Sequence, residues 1–175
     1  RDAFVAALSL NVFHKYVDRI RMTNIAQIVN VLQSMILTKG DKMVLTPTYY
    51  VYEMYQPHQD ATSLPLDIEA PPRQVRGDRT IPLVSATASR DEAGRIHVSL
   101  ANVDVDQARK IRIVLDGTQA AKVSGTVLTS KKITDLNTFE KPDKIKLKPF
   151  KGAKLSGGVV EVNMPAHSIV TLEIE

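Results

Sequence analysis

The sequence contains no cysteine and no tryptophan. Without thiols the chain has neither a disulfide framework nor a thiolate metal site, and its redox compartment cannot be inferred from cysteine usage. It also lacks an apolar run of the roughly 18–20 residues that a membrane-spanning helix needs. Its 175 residues and 43% hydrophobic content are ordinary for a globular protein of one large or two small domains. We therefore expect a globular protein with no membrane span.

A strong excess of one charge is absent as well. The net charge of +4 results from 23 lysines and arginines against 19 aspartates and glutamates, and this mild excess predicts no nucleic-acid partner. A basic run near the C-terminus consists of Lys141, Lys144, Lys146, Lys148, Lys151 and Lys154. Because Phe150 is the only aromatic residue among them, we interpret the run as a solvated sheet face. Contact with an anion or a nucleic acid is the alternative.

Motifs for metal, phosphate or nucleophilic chemistry are also missing. The four histidines are His14, His58, His97 and His167. They form no HExxH or comparable spacing, so each is interpreted as structural. The glycines occur in turn-like contexts without a phosphate-binding loop, and no GxSxG nucleophile motif is present. The sequence therefore predicts no metal ion and no cofactor.

Paired carboxyl groups are not evident in the first 65 residues. Acid–base hydrolysis of a glycosidic bond needs two carboxyl groups, about 5–5.5 Å apart in a retaining enzyme and farther apart in an inverting one. The acids of this part are Asp2, Asp18, Asp41, Glu53 and Asp60. They stand at a helix start, before a predicted strand, in a turn, within a helix and after it. None of them belongs to a recognisable converging pair.

Helical periodicity marks both ends of residues 1–65. From Asp2 to about Tyr16, apolar residues recur three or four positions apart, which predicts a helix. Thr46 suits an N-cap and Pro47 the first helical position, so a second helix of about ten residues is predicted before Pro57. It carries Tyr49, Tyr50, Tyr52 and Tyr55. We interpret these tyrosines as packing residues rather than as a sugar-stacking cluster.

The residues between the two helices are harder to interpret. The stretch VDRIRMTNIA, residues 17–26, suggests a short strand, and IVNVLQSMILT is compatible with strand or helix. Gln27 and Asn30 interrupt this apolar region. A buried carboxamide without partners costs about 1–3 kcal/mol, so each of these amides is expected to have a structural or a binding role.

The second half of the chain changes to a period of two. Residues 61–80 contain three prolines and are interpreted as a linker or a loosely paired strand. Half-buried strands are then predicted from apolar and polar alternation in RIHVSLANV, KIRIVLDG, AKVSGTVLTS, KIKLKPF, GGVVEVNMP and SIVTLEIE. Strands at this spacing close naturally into an antiparallel sandwich or jelly roll.

The chain also carries five motifs in order: DRIRMTNIAQIVNVLQSMILT, LTPTYYVYEMYQPHQDA, SLANVD, NTFEKPDKI and MPAHSIVTLEI. Together they resemble the C-terminal end of α-L-arabinofuranosidases of glycoside hydrolase family 51. The resemblance implies a full-length enzyme that hydrolyses terminal arabinofuranosyl units with retention, using a (β/α)₈ barrel followed by a β-sandwich. It further implies a mainly β chain: residues 1–65 form the last helix–strand–helix portion of the barrel, and residues 66–175 a jelly-roll-type C-terminal sandwich.

The same resemblance implies site residues. Two glutamates act as acid/base and nucleophile in such enzymes, and neither motif has a counterpart here. Both are therefore expected upstream of Arg1, and no catalytic residue is expected in this chain. Gln27 matches the glutamine of the family's AQ dipeptide, which hydrogen-bonds bound arabinose at the strand ends of the barrel. The alternative for Gln27 is an amide that bridges loop backbone. Asn30 has no family role to transfer and is expected to cap loop backbone.

Partners follow from these inferences. We expect an arabinose-containing poly- or oligosaccharide bound through the full-length enzyme, the missing N-terminal barrel portion, and a homo-oligomer. The last two rest on apolar surface expected at Phe4, Leu8, Val12 and Phe13. The isolated chain is expected to be inactive. Its start resembles a cut and shows no targeting segment, so the cellular compartment is not inferred.

A rival function is a non-catalytic β-sandwich module that binds carbohydrate or another protein. Such a module needs exposed aromatic residues to stack on sugar rings. Residues 66–175 offer only Phe139 and Phe150, which argues against a sugar-binding platform.

Overall fold

A computed structural model describes residues 1–74 and 77–175 of the chain. Its α-helices are α1 (Asp2–Lys15) and α2 (Pro47–Tyr55), and a 3₁₀ turn follows at Gln56–His58. The strands are β1 (Ile36–Lys39), β2 (Lys42–Leu45), β3 (Thr62–Leu64), β4 (Pro72–Gln74), β5 (Thr80–Pro82), β6 (Val84–Arg90), β7 (Ile96–Asn102), β8 (Arg109–Val114), β9 (Val123–Leu128), β10 (Lys148–Pro149), β11 (Ala153–Ser156), β12 (Val159–Met164) and β13 (Ser168–Ile174). The predicted mainly β class is confirmed.

The larger part of the fold is an antiparallel sandwich, as predicted. One sheet has the strand order β10-β9-β13-β7-β6-β3, and the other has the order β11-β12-β8. Their facing sides enclose a core in which Leu172, Val160 and Met164 are fully buried. Alternation puts these side chains inward, because successive residues of a strand point to opposite faces of the sheet.

The outer faces of the two sheets differ. Along β8 the burial alternates, as the sequence predicts. Along β7 all seven residues are buried, so the expectation of a half-buried strand is wrong there. The reason is that α1 and α2 pack on the outer face of the six-stranded sheet, where Ala101 and Ile169 join the helical residues in a second apolar core.

The predicted strand KIKLKPF is also mostly wrong. Only Lys148–Pro149 pairs in the sheet, beside β9. Upstream, the N–H of Ile145 donates to Asn137 Oδ1 at 2.8 Å, and the Ile145 side chain is buried under the helices. The Asn137 side chain therefore accepts the backbone hydrogen bond that a neighbouring strand would otherwise have accepted.

The first helix forms where it was predicted, but it buries a different stripe. Its buried residues are Ala3, Ala7, Leu10 and Asn11. Val5 and Val12, two of the apolar residues whose spacing predicts this helix, are 56% and 52% exposed. Small residues allow the helix to approach the sheet closely, and the bulkier valines are left on the open side.

The strand predicted over residues 17–26 is absent, although every residue of this stretch is described. The backbone is irregular from residue 21 to residue 35 apart from an isolated parallel bridge between Val29 and Ile36. A strand needs a hydrogen-bonded neighbour, and within the described chain none lies alongside residues 17–26. The ambiguous run after Gln27 ends as β1, which forms a hairpin with β2 through Gly40 at φ +60°.

The second helix begins at Pro47, as predicted, but Thr46 does not cap it with its side chain. The Thr46 hydroxyl instead donates to the Ser34 carbonyl at 2.9 Å. The threonine therefore ties the helix start to the irregular segment.

The proline-rich stretch contains loosely paired strands in its described part. β3 pairs with β6, and β4 pairs with β5, whereas residues 75–76 lie outside the described residues. Because β3 belongs to the six-stranded sheet, this sheet already includes residues before position 65. The division into residues 1–65 and 66–175 stays a prediction.

Candidate substrate-contacting loop

Gln27 lies in a chain reversal that we call the Gln27 loop, residues 24–35. The backbone N–H groups of Met35 and Ile36 both donate to the Ile28 carbonyl at 3.1 Å. These bonds fold the loop back onto the first strand of the β1–β2 hairpin. Gln27 therefore sits immediately before the point where the chain is fixed.

Three residues of this loop adopt left-handed backbone conformations without being glycine. The φ angles are +50° at Gln27, +57° at Asn30 and +63° at Gln33. Such a conformation costs an L-residue roughly 1–2 kcal/mol, and asparagine adopts it more readily than glutamine does. Local strain of this kind clusters at functional sites. The backbone thus indicates a candidate site here independently of any sequence motif.

The two amides of the loop have different surroundings. Asn30 Nδ2 donates to Thr38 Oγ1 at 2.8 Å, and the Thr38 N–H donates to Asn30 Oδ1 at 2.7 Å. Asn30 thus caps a backbone N–H, as expected, but that N–H belongs to strand β1 and not to the loop. Gln27 is exposed, and among the described residues its amide makes no hydrogen bond to the loop backbone. Its predicted contact with substrate stays a prediction.

A cavity of about 250 Å³ lies between the Gln27 loop and the two helices. Its walls include Ser9, Phe13, Asn24, Gln33, Thr48 and Tyr52. Gln27 is not part of these walls, so within this chain the cavity and the Gln27 amide do not form one site.

His58 anchors a second polar cluster, at the junction of the helices with the six-stranded sheet. Its Nδ1 lies 2.7 Å from Ser89 Oγ and its Nε2 lies 2.8 Å from Ser99 Oγ. The ring of His14 packs edge-on against it, with centroids 5.2 Å apart. Burial lowers the pKa of His58 to about 3, and the nearby His14 and His97 add to this shift. A buried imidazole with so low a pKa is a weak base, so this cluster is structural.

The other three histidines are hydrogen-bonded as well. His14 Nδ1 lies 3.3 Å from Thr87 Oγ1, and burial lowers the pKa of His14. His97 Nε2 lies 3.0 Å from Asp91 Oδ2, and this hydrogen bond is the largest cause that lowers the pKa of Asp91 to about 2. The ring of His167 contacts two backbone carbonyls. The interpretation of the four histidines as structural is confirmed.

The tyrosines of α2 are packing residues, as predicted. Tyr50 and Tyr55 are buried, and Tyr49 meets Tyr50 edge-on at a centroid distance of 5.7 Å. The Tyr55 hydroxyl donates to Asn11 Oδ1 at 2.7 Å, and burial raises the pKa of this phenol. These rings fill the space between the helices and the sheet.

The lysines of the basic run are exposed. Lys144 pairs with Asp135 at 2.8 Å, and Lys154 lies on the solvent side of β11. These positions fit a solvated surface. Within residues 1–74 and 77–175, no three His, Asp or Glu side chains converge as a metal-binding set. None of the helices described there combines the length and the hydrophobicity of a membrane-crossing segment.

The sequence reasoning missed the polar junction around His58 and the buried Asn137. Asn137 Nδ2 donates to the carbonyls of Leu45 and Ile145 at 2.9 and 2.8 Å, and so joins the hairpin to a loop of the sandwich. A signal for the junction was present in the outward positions of β6 and β7, which carry small or neutral residues: Ser85, Thr87, Ser89, His97, Ser99 and Ala101. Strands open to water usually place charged residues there.

Comparison with known proteins tests the family resemblance that the five sequence motifs suggest. The family model described as "Alpha-L-arabinofuranosidase C-terminal domain" matches residues 1–168. The chain belongs to this family. As an arabinofuranosidase C-terminal domain it is 60% identical over 175 residues to the intracellular exo-α-L-arabinofuranosidase of Bacteroides ovatus. The match covers all of this chain and 34% of that protein.

Solved structures agree with this assignment. The arabinofuranosidase C-terminal domain superposes on the GH51 arabinofuranosidase from Xanthomonas axonopodis pv. citri with a TM-score of 0.94 at 43% identity, covering 99% of this chain and 35% of that one. The arabinose complex of α-L-arabinofuranosidase from Thermotoga maritima gives a TM-score of 0.87 at 22% identity, covering 99% and 38%. The second likeness shows the fold alone. This C-terminal domain spans about a third of the length of the curated relatives it matches.

Proposed function

We propose that the chain is the C-terminal part of a retaining α-L-arabinofuranosidase that releases terminal arabinofuranosyl residues from arabinose-containing polysaccharides and oligosaccharides. The observation that carries this proposal is the 60% identity to an exo-α-L-arabinofuranosidase along the whole chain. In this reading the chain supplies a substrate-contacting residue and a supporting sandwich, and the preceding polypeptide supplies the catalytic glutamates.

Four carboxyl groups of the described residues fit that division of labour. A retaining glycosidase needs a general acid whose pKa is raised above the ordinary carboxyl range. Hydrogen bonds and cations instead lower the pKa of Asp91, Asp104, Asp135 and Glu140. Asp104, for example, accepts a hydrogen bond from Arg109 and two more from backbone N–H groups. Such groups are held as carboxylates and are poor proton donors.

Gln27 is the residue that we propose to touch the sugar. Its carboxamide offers two N–H donors and one carbonyl acceptor, which suits a furanose ring with several hydroxyl groups. The exposed side chain and the left-handed backbone at φ +50° support this role. An unpaired amide on a loop that is fixed on one side is suited to meet a ligand.

We propose that the preceding barrel portion covers the apolar surface of residues 5–32. Large hydrophobic residues of this region are open to solvent: Val5, Val12, Tyr16, Val17, Met22, Ile28, Val29 and Leu32. Met22 is 76% and Leu32 is 91% exposed. Soluble proteins rarely leave so many neighbouring apolar groups in water, and relatives about three times as long have the polypeptide to cover them.

The proposal is tested by assaying an aryl α-L-arabinofuranoside with two proteins, the 175-residue chain and the same chain joined to its upstream polypeptide. Only the longer protein should hydrolyse it. In that longer protein, Gln27→Ala should lower kcat/KM by about 10- to 100-fold, because one sugar contact is lost. Gln33→Ala is the matched control, since Gln33 is also an exposed, left-handed glutamine of the same loop.

Two results would contradict this assignment. Hydrolysis by the purified 175-residue chain would show that the catalytic groups lie within it. A Gln27→Ala enzyme with unchanged kcat/KM would remove Gln27 from the substrate site.

The rival reading, a sandwich that binds carbohydrate by itself, has less support. Phe139 and Phe150 are both half-buried, and Phe150 packs against the sandwich core. Saturable binding of arabinan oligosaccharides to the isolated chain, unaffected by Gln27→Ala, would favour this module over the enzyme fragment.

A further inference from the structure

The link between Asn30 and Thr38 is unusual in joining the two residues in both directions. The Asn30 amide donates to the Thr38 hydroxyl at 2.8 Å and accepts from the Thr38 N–H at 2.7 Å. Thr38 belongs to β1, which pairs on its other side with β2. The Asn30 side chain thereby extends the contact between the Gln27 loop and the free edge of the hairpin as far as Thr38.

A second bond acts on the same residue. The Asn30 N–H donates to the Ile36 carbonyl at 3.1 Å. Asn30 is therefore fixed to β1 through its backbone and its side chain, while its own backbone is left-handed at φ +57°. Only three positions separate it from Gln27, and the Ile28 carbonyl between them accepts hydrogen bonds from Met35 and Ile36. Asn30 and Ile28 therefore both anchor the short backbone segment that carries Gln27.

We propose that Asn30 is a positioning residue for Gln27. It does not touch the sugar, and its clamp on Thr38 holds the loop in the conformation in which the Gln27 amide meets the substrate. This inference rests on the proposed sugar contact of Gln27. The Gln27 amide must be held closely in place, because a displacement of about 1 Å in the substrate site can lower the rate by about 100-fold.

Different substitutions separate the backbone conformation from the hydrogen bonds. Asn30→Gly keeps the left-handed conformation, which glycine adopts freely, but removes both side-chain bonds. Asn30→Asp keeps an acceptor for the Thr38 N–H and can accept from the Thr38 hydroxyl, so the clamp survives. Thr38→Val keeps the shape and the backbone N–H of the threonine and removes only its hydroxyl.

The test measures kcat and KM of these variants in the full-length enzyme, each alone and combined with Gln27→Ala. We expect Asn30→Gly to lower kcat/KM by about tenfold and Thr38→Val by less. Asn30→Asp should restore most of the activity. In the Gln27→Ala background, Asn30→Gly should have no further effect beyond about twofold, because the residue that it positions is absent. The thermal midpoint of each variant is recorded to confirm folding.

The possible outcomes distinguish this inference from the proposed function. If Gln27→Ala lowers kcat/KM and Asn30→Gly does not, Gln27 keeps its role and the positioning role of Asn30 is wrong. The positioning role is also wrong if the two losses multiply in the double variant, since Asn30 then acts without Gln27. If Gln27→Ala has no effect, the sugar contact fails and the inference fails with it.

Discussion

The strands β7 and β8 have the same alternating sequence pattern but different surroundings. In β7 the inward Val98 and Leu100 and the outward Ser99 and Ala101 are all buried. In β8 the outward residues are exposed, and Val114 is 70% open to water. The difference lies in the helices: in the described part of the chain they cover the six-stranded sheet of the sandwich and leave its three-stranded sheet open. The alternation of apolar and polar residues along a strand therefore identifies the side that faces the core. It does not tell whether the opposite side is exposed to solvent.

The largest effect should come from placing a charge on the covered face. Ala101→Lys buries an ammonium group under α1 and α2 at a position that is now 0% exposed. We expect a loss of about 3–5 kcal/mol in the free energy of unfolding, because no partner compensates the charge. Val114→Lys, at an outward position of the open sheet, should change this free energy by less than about 0.5 kcal/mol. Urea unfolding of the isolated chain measures both.

Equal stability of the two lysine variants would contradict the difference between the covered face of β7 and the open face of β8. That result would mean that the helices do not hold their place on the six-stranded sheet in solution. Chemical shift changes at Tyr50 and Tyr55 would then report whether the helices have separated.

A smaller effect is expected from pH, through the histidine junction under the helices. The folded pKa of His58 is about 3, against an ordinary value of 6.5, so the folded state needs the neutral ring. Below about pH 6.5 the unfolded chain binds a proton that the folded chain does not. Stability is thus complete above about pH 6.5 and falls with decreasing pH, by about 2 kcal/mol at pH 5. The lowered pKa of His14 acts in the same direction.

The control for this prediction is His58→Gln, which keeps hydrogen-bonding capacity and removes the titration. Its unfolding free energy should depend less on pH between about 5 and 7 than that of the unaltered chain. Parallel pH curves for the two proteins would exclude His58 as the source. Asp91, with its pKa lowered to about 2, stabilises the fold above its ordinary pKa and loses this effect only at more acidic pH.

The smallest change in stability is expected from a substitution in the exposed apolar surface of residues 5–32. Leu32→Ser should alter the unfolding free energy by less than about 0.5 kcal/mol, because Leu32 is 91% exposed. We expect it to reduce self-association of the isolated chain in sedimentation equilibrium, and Val114→Ser to leave self-association unchanged. A monomeric unaltered chain would contradict the expectation that this open apolar surface makes the isolated chain self-associate.

Much of the fold could be predicted because local pattern and final environment agree. The helices α1 and α2 and the strands β7, β8, β9, β12 and β13 all formed where their periods indicated. Predictions failed where a residue of another segment supplied the hydrogen-bond partner. The Ile145 N–H donates to the Asn137 side chain, and the Thr46 hydroxyl donates to the Ser34 carbonyl. No local period contains such a partner.

The candidate site was predicted only in part. The resemblance pointed to Gln27, and the expected capping role of Asn30 matched its bonds to Thr38. The left-handed backbone of Gln27 and Gln33 was not foreseen, because glutamine has no special preference for this region.

The sequence alone determined the family, the sandwich, the two helices and the absence of cysteine chemistry, since these depend on residue type and local period. Only the tertiary structure decided which face of each sheet is dry, which partners satisfy the buried histidines and amides, and how the chain runs between residues 17 and 35. These features depend on contacts between residues far apart in sequence. The free energy of burying a serine, a histidine or an asparagine is set by the groups that the fold brings beside it.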